Sequence, residues 1–332
     1  MKTIALAGIA AAIGLGSVTQ ANALSIDEIY AFGDSLNDCC INPAAPFTNG
    51  TETWLPNFSS LIGANYVEAT AYNYAIGGAQ SGHTNAIQSA DTATFMTGLQ
   101  AQVQRFQTAA PVIGSDDLAV IWVGTNDIWS SAYDQDQLFG VPGLDINKPL
   151  GNDPSAEALA SYIAGNIQIS IGHLSDSGFE QVMVLTPYDI GDAGLFDAVD
   201  GPAQNTAYSE ALRNKLLTTY TMGIDTYVLD VVELIRDLQA GSPGNGFTQL
   251  GTNPSCSFGP IMCEGRLPSE QNEFIYYDFV HLTTATNAEV STAAASLIDS
   301  GTPVARVPLP TTLLLVIGGI GMLSAGRQRR IG

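Results

Sequence analysis

The sequence predicts an α/β fold in which a mainly parallel sheet carries helices on both faces. Two observations lead there: short apolar runs rich in Val, Ile, Tyr and Leu recur between turn residues, and stretches with helical apolar spacing separate them. The composition agrees, since 45% hydrophobic and only 13% charged residues suit a packed core rather than a disordered chain.

Residues 26–32, 66–75, 118–123, 181–185 and 226–229 read as five buried strands. Between them, Phe95, Met96, Leu99, Val103 and Phe106 share one helical face. Leu159, Ile163, Ile167 and Ile171 share another, behind an Asp153 cap with Pro154 at the first helical position. Further helices are expected at 206–220 and 286–298, and one directly after Ser35. Two stretches, 129–152 and 239–274, are loaded with Gly, Pro, Asn and Asp, and are expected to wall a substrate site. Ligands of such sheets bind beyond the carboxyl ends of the strands.

The ends read as processing signals. Residues 1–23 form a signal peptide pattern, with Lys2, an apolar stretch rich in Ala and Gly, and Ala21-Asn22-Ala23 as a small-x-small cleavage site. At 306–332, Val307-Pro308-Leu309-Pro310 precedes an apolar run and then Arg327, Arg329 and Arg330. This order resembles the VPLP variant of the PEP-CTERM sorting signals, which implies processing by an exosortase-type enzyme in a Gram-negative cell. A plain C-terminal membrane anchor is the alternative. Either reading places the single domain at 24–305 outside the cytoplasmic membrane, secreted or at the cell surface.

The chain has 32 acidic and 11 basic residues, a net charge of -21 and a pI near 4.1. All of the acidity falls within 24–305, whose basic residues are Arg105, Lys148, Arg213, Lys215, Arg236 and Arg266. Such a surface excludes nucleic acid as a partner, because phosphate contacts need clustered Lys and Arg. Four cysteines, Cys39, Cys40, Cys256 and Cys263, suit an oxidising compartment. Cys256 and Cys263 enclose a Gly-Pro loop and are expected to pair locally. Adjacent Cys39 and Cys40 either pair with each other or reach that loop. Their spacing is not that of a zinc ribbon, and no metal site is expected.

The residues at the strand ends carry the chemistry. The first strand runs into Phe32-Gly33-Asp34-Ser35-Leu36-Asn37-Asp38, which presents a hydroxyl at the sheet edge beside a Gly. The second ends in Asn73-Tyr74-Ala75-Ile76-Gly77-Gly78-Ala79, where glycine lets a backbone N–H approach a ligand. The third ends in Gly124-Thr125-Asn126-Asp127, and Asp278 and His281 stand three apart near the C-terminus.

Taken together, these positions resemble the SGNH or GDSL family of serine hydrolases. Phe32–Asp38 is similar to its nucleophile block, and Asn73–Ala79 to its glycine block. Gly124–Asp127 matches its asparagine block, and Asp278–Leu282 its DxxH block, all in family order. Leu282 stands where many relatives have Pro, and Cys39 and Cys40 where small polar residues are common. The resemblance implies a flavodoxin-like three-layer α/β/α sandwich with a five-stranded parallel sheet. It also implies an esterase or lipase of Ser-His-Asp mechanism that needs no cofactor. Ser35 would be the nucleophile, His281 its base and Asp278 the residue orienting the imidazole. The Ser35 and Gly78 N–H groups and the Asn126 amide would bind the oxyanion. Alignment from Asn73 favours Gly78 over Gly77.

The substrate class expected is an ester of a lipid, an acylated small molecule or a glycan. A carbohydrate O-acetyl esterase and a catalytically silent surface or matrix protein are the alternatives. Gly33-Asp34-Ser35-Leu36-Asn37 lacks the second Gly of a GxSxG elbow, which argues against an α/β-hydrolase. His83, in a loop, and His173, near a helix end, read as structural. Asp189, Asp192, Asp197 and Asp200 offer oxygen ligands for calcium but lack an EF-hand spacing, and read as a solvated surface loop. Trp129, Tyr133, Phe139 and Tyr188 are candidates for either an acyl pocket or the core.

Overall fold

The computed structural model describes residues 24–41, 45–88, 96–132, 145–193, 202–218, 223–241, 246–249, 256, 263–278 and 280–304. The expected signal peptide and sorting tail lie outside them, as do Phe95, Tyr133, Phe139, Asp197 and Asp200. Among the described residues, no helix is long and apolar enough to cross a membrane.

The elements run in the order β1 (Ile29–Gly33), α1 (Leu55–Ile62), β2 (Ile87–Gln88), α2 (Leu99–Ala109), β3 (Leu118–Trp122), α3 (Thr125–Ala132), β4 (Asp145–Ile146) and α4 (Ala156–Asp176). They continue with β5 (Gln181–Leu185), α5 (Pro202–Leu216), β6 (Asp225–Leu229), α6 (Val231–Gln239), the single turn α7 (Pro268–Gln271) and α8 (Thr284–Asp299). Strands β1, β3, β5 and β6 form a parallel sheet in that spatial order, and β2 pairs antiparallel with β4. Every residue of β1, β3 and β5 is buried, as a sheet covered on both faces requires. Helices α1, α6 and α8 pack together, and α2, α3, α4 and α5 form a second group, giving the flavodoxin-like three layers.

The sheet has four strands among the described residues rather than the five expected. The segment at 66–75 lies beside β1 and brackets Ala31 with the Tyr72 carbonyl and the Tyr74 N–H at 2.8 Å each, but this makes a single isolated parallel bridge, Ala31 with Asn73, rather than a ladder. Its middle forms a turn instead: the Tyr72 and Asn73 N–H groups both donate to the Ala69 carbonyl, at 2.9 Å each. Backbone donors satisfied locally do not extend a ladder.

Four other expectations change. Met96 lies ahead of α2 and is 49% exposed, while Leu99, Val103 and Phe106 are buried as expected; an extended Gly98 is the N-cap. The cap of α4 is Ser155 rather than Asp153, because the Ser155 hydroxyl accepts the Ala158 N–H at 3.2 Å. Asp153 instead adopts φ 47°. Ser35 is followed by turns rather than a helix, and helix α5 begins four residues earlier than expected, at Pro202, a residue suited to a first helical turn.

Two buried polar side chains fix the sheet edge where the site lies. Gln102 stands on the apolar face of α2 and bonds both backbone groups of Gly33, accepting its N–H at 2.8 Å and donating to its carbonyl at 2.7 Å. Gly33 has φ 133°, and a Cβ there would stand 1.9 Å from the Trp122 carbonyl oxygen, so no other residue fits. Asp127, in α3, accepts the Ser81 N–H and hydroxyl at 2.8 Å each and so holds the 77–85 loop against the helix. Burial pushes its carboxyl up to about 7, against the opposing pull of the Ser81 bonds.

Replacing Gln102 by Leu strands the Gly33 N–H in the core and leaves the Gly33 carbonyl with the Ile76 N–H alone, at 3.0 Å. We expect unfolding free energy to fall by about 3 kcal/mol in urea titrations. For Asp127 the folded pKa lies above the ordinary value of 3.8. Its contribution is therefore complete at low pH and is lost as pH rises through about 7. Urea midpoints of the wild type should fall between about pH 4 and about pH 8, and Asp127→Asn should flatten that slope. Asp34, which titrates in the same window, keeps part of it.

Candidate active site

Ser35 stands beyond β1 with Asp34 between them, in a turn that the backbone closes on itself. The Asp34 carbonyl accepts the Asn37 and Asp38 N–H groups at 3.1 and 3.0 Å, and the Asp34 N–H donates to Trp122 in the neighbouring strand at 3.0 Å. Buried Asn37 clamps this turn from below. It donates to the Phe32 carbonyl at 2.9 Å and accepts the Trp54 indole N–H at 2.8 Å. Asn73 adds a bond to the Asn37 carbonyl at 2.6 Å. The hydroxyl of Ser35 is thus left on a rigid platform at the carboxyl edge of the sheet.

Asp278 and His281 arrive from the other end of the chain on a tight loop. A bridge between Tyr276 and Leu282 closes that loop, and the Tyr277 N–H bonds the His281 carbonyl at 2.8 Å. Thr283, next in sequence, caps α8 and also donates to the Phe274 carbonyl at 2.8 Å. Within the loop, Asp278 Oδ1 accepts the Val280 and His281 N–H groups at 2.8 Å each, which turns Oδ2 toward the imidazole. His281 Nδ1 lies 2.7 Å from that oxygen, and its Nε2 lies 2.8 Å from Ser35 Oγ. Aspartate, imidazole and hydroxyl therefore form one continuous hydrogen-bonded chain.

Sequence reasoning missed the Phe47 ring, which stacks on the His281 imidazole with centroids 4.9 Å apart and planes at 17°. Its loop is held by Asn49, whose Oδ1 accepts the Thr284 N–H at 2.6 Å and whose amide donates to Gln271 at 3.0 Å. An isolated Phe beyond a Pro carries no periodic signal, so the sequence offers no hint of this contact.

The expected oxyanion donors lie on three neighbouring segments. The Gly77 N–H is taken by Asp38 Oδ2 at 2.8 Å, whereas no described residue accepts from Ser35 N–H or Gly78 N–H. Gly78 has φ 80°, a conformation that favours glycine. Asn126, in the first turn of α3, donates to the Ala79 carbonyl at 3.2 Å from a half-buried position beside Asp34.

Two carboxyls near the imidazole sit in opposite environments. Burial pushes Asp34 up to about 7, with the Leu36 N–H, His281 and the Asn126 amide pulling the other way. Burial also acts to raise Asp278, but the His281 charge and three hydrogen bonds, from the His281 ring and the Val280 and His281 N–H groups, outweigh it and hold its carboxyl below the ordinary range. A protonated Asp34 puts no negative charge beside the place where an oxyanion would form, while Asp278 stays ionised where an imidazolium would form.

The remaining candidates fall elsewhere. Trp129 and Tyr188 are core residues, and Tyr188 packs on Tyr276 with centroids 5.6 Å apart. Asp189 is buried rather than solvated, with Oδ1 accepting the Gly191 N–H at 2.9 Å, while Asp192 is exposed. His173 is exposed on the last turn of α4, and His83 lies half-buried in its loop. Cys256 is bonded to Cys263 and Cys39 to Cys40. The first pair sits under the 274–283 loop, where the Cys256 N–H donates to the Tyr276 carbonyl at 2.8 Å.

The model of the GDSL-like lipase/acylhydrolase family matches residues 29–294. No curated protein matches the chain significantly. Among solved structures, the chain is similar to a member of the lipolytic protein G-D-S-L family from Veillonella parvula, at 15% identity and a TM-score of 0.41, over 81% of this chain and 96% of that one. It is also similar to an acetylxylan esterase from Geobacillus stearothermophilus, at 12% identity and a TM-score of 0.42, over 86% of this chain and 100% of that one. The family match begins at the first residue of β1 and ends within α8, taking in every element that shapes the site; the chain belongs to the GDSL-like lipase/acylhydrolase family and is a carboxylic ester hydrolase.

Proposed function

We propose that the protein is an exported serine esterase or lipase in which Ser35, His281 and Asp278 perform acyl transfer. The observation that carries this reading is the unbroken chain from Asp278 Oδ2 through the His281 ring to Ser35 Oγ, with links of 2.7 and 2.8 Å. A serine hydroxyl is a weak nucleophile near neutral pH, so the neighbouring imidazole must accept its proton as Oγ attacks the ester carbonyl. Asp278, held ionised, fixes the tautomer that leaves Nε2 free to accept and then steadies the imidazolium. Charge developing on the carbonyl oxygen is met by the Ser35 and Gly78 N–H groups and the Asn126 amide. Collapse of the tetrahedral species breaks the bond to the alcohol oxygen, which takes the proton from His281. Water then repeats the sequence on the acyl-serine and releases the acid.

The net charge of -21 supports neutral or zwitterionic esters over anionic ones. Export rests on the 1–23 pattern and the sorting-like residues 306–332, and fits a domain holding two disulfides. The mature protein recovered from outside the cytoplasm should begin at Leu24 on N-terminal sequencing; retention of the leader in the exported form would refute that cleavage.

Ser35→Ala should lower turnover of a short-chain aryl ester by at least about 1,000-fold with the fold intact by circular dichroism. Retained hydrolysis would reject Ser35 as nucleophile. Rates across acyl esters of increasing length, set beside acetylated polysaccharides, define the substrate class. A strong preference for the polysaccharides would replace the lipid-directed reading with a carbohydrate O-acetyl esterase.

A further inference from the structure

We infer that Asp38 is a positioning residue for the oxyanion-binding amides, acting as the tie between the nucleophile turn and the glycine turn. This rests on the reading above of Ser35 and Gly78 as oxyanion donors. The Asp38 carboxylate is fully buried. Its Oδ1 accepts the N–H groups of Cys40 at 3.1 Å and Ile41 at 3.2 Å, and its Oδ2 accepts the N–H of Gly77, 39 residues away in sequence, at 2.8 Å. Its own N–H donates to the Asp34 carbonyl at 3.0 Å, which ties it to the turn that presents Ser35.

The glycine turn is pinned at two successive peptides. Asp38 holds the Gly77 N–H, and the Asn85 amide donates to the Gly77 carbonyl at 2.9 Å. That carbonyl shares a rigid plane with the Gly78 N–H, so fixing the oxygen on one side aims the N–H to the other. Asn85 therefore sets the tilt of the Gly78 donor, and Asp38 sets its distance from Ser35. Oxyanion donors act by being held in place before charge develops, and their tolerance is about half an ångström. A carboxylate suits this task because it takes donors on both oxygens and carries none of its own. An asparagine would turn an NH2 group toward either Gly77 or the Cys40 and Ile41 amides, donor against donor.

Kinetics of Asp38→Asn with a short-chain ester, together with inhibition by a trifluoromethyl ketone that forms a tetrahedral adduct on serine, test the inference. We expect kcat to fall about 10- to 100-fold with KM little changed, and the inhibitor constant to rise by the same factor as kcat/KM falls. Asp38→Ser, which keeps an acceptor near the Cys40 N–H but loses the reach to Gly77, should show the same coupled loss. Unchanged kcat and inhibitor affinity in a folded variant would overturn the inference, as would a rise in KM alone. Failure of both variants to fold would assign Asp38 to stability and overturn it equally. Ser35→Ala run alongside separates the two levels: if it retains turnover, the reading of the site fails. If it is inactive while Asp38→Asn behaves as wild type, only the role of Asp38 fails.

Discussion

The hydrogen bond between Ser35 Oγ and His281 Nε2 joins residues 246 positions apart, and the rest of the structure can be understood as what keeps that 2.8 Å contact in place. A parallel sheet helps because all its strands end on one edge, so a side chain at the end of β1 stays at the rim whatever follows it. Packing of α8 against α1 and β6 then returns the far end of the chain to the same rim. Each partner has its own anchor. Gln102, Asn37 and Trp54 fix the turn of Ser35, while Thr283, the Tyr276–Leu282 bridge and the Cys256–Cys263 disulfide fix the loop of His281.

Burial then sorts the charges around that contact. Asp34 lies one residue from the hydroxyl and is pushed toward its protonated form, whereas Asp278 is held ionised by the imidazole and by backbone N–H donors. Asp34 is fully buried and Asp278 half-buried, and their partners drive the two carboxyls in opposite directions. The polar side chains beneath the rim, Asn37, Asn73, Asp38 and Asn85, bond backbone groups, and no described residue accepts from the Ser35 or Gly78 N–H.

Much of this was legible in the sequence because burial on both sheet faces writes itself as uninterrupted apolar runs. Gln181–Leu185 appears as read, and β1, β3 and β6 differ only at their ends. The four blocks could be read from the sequence because each stands at a strand end or on a loop marked by Gly or Asp. The edge segment at 66–75 misled because its apolar residues are those of a strand while its backbone bonds are those of a turn, and only tertiary contact decides between them. Amphipathic α6 went unread although Val231, Val232, Ile235 and Leu238 lie on its buried face behind the Asp230 cap. Gln102 could have been flagged as a polar residue inside an apolar stripe. Phe47 could not, because its contact joins two loops with no local pattern.

What makes the site chemical rather than merely ordered is the claim that His281 activates Ser35. Mass-spectrometric mapping of the adduct formed with a fluorophosphonate probe addresses it most directly, because the probe reacts with an activated serine and reports its position. A single adduct on Ser35 is expected, formed at least about 100-fold more slowly in His281→Ala. An adduct on another serine, or wild-type labelling of Ser35 without His281, would contradict it.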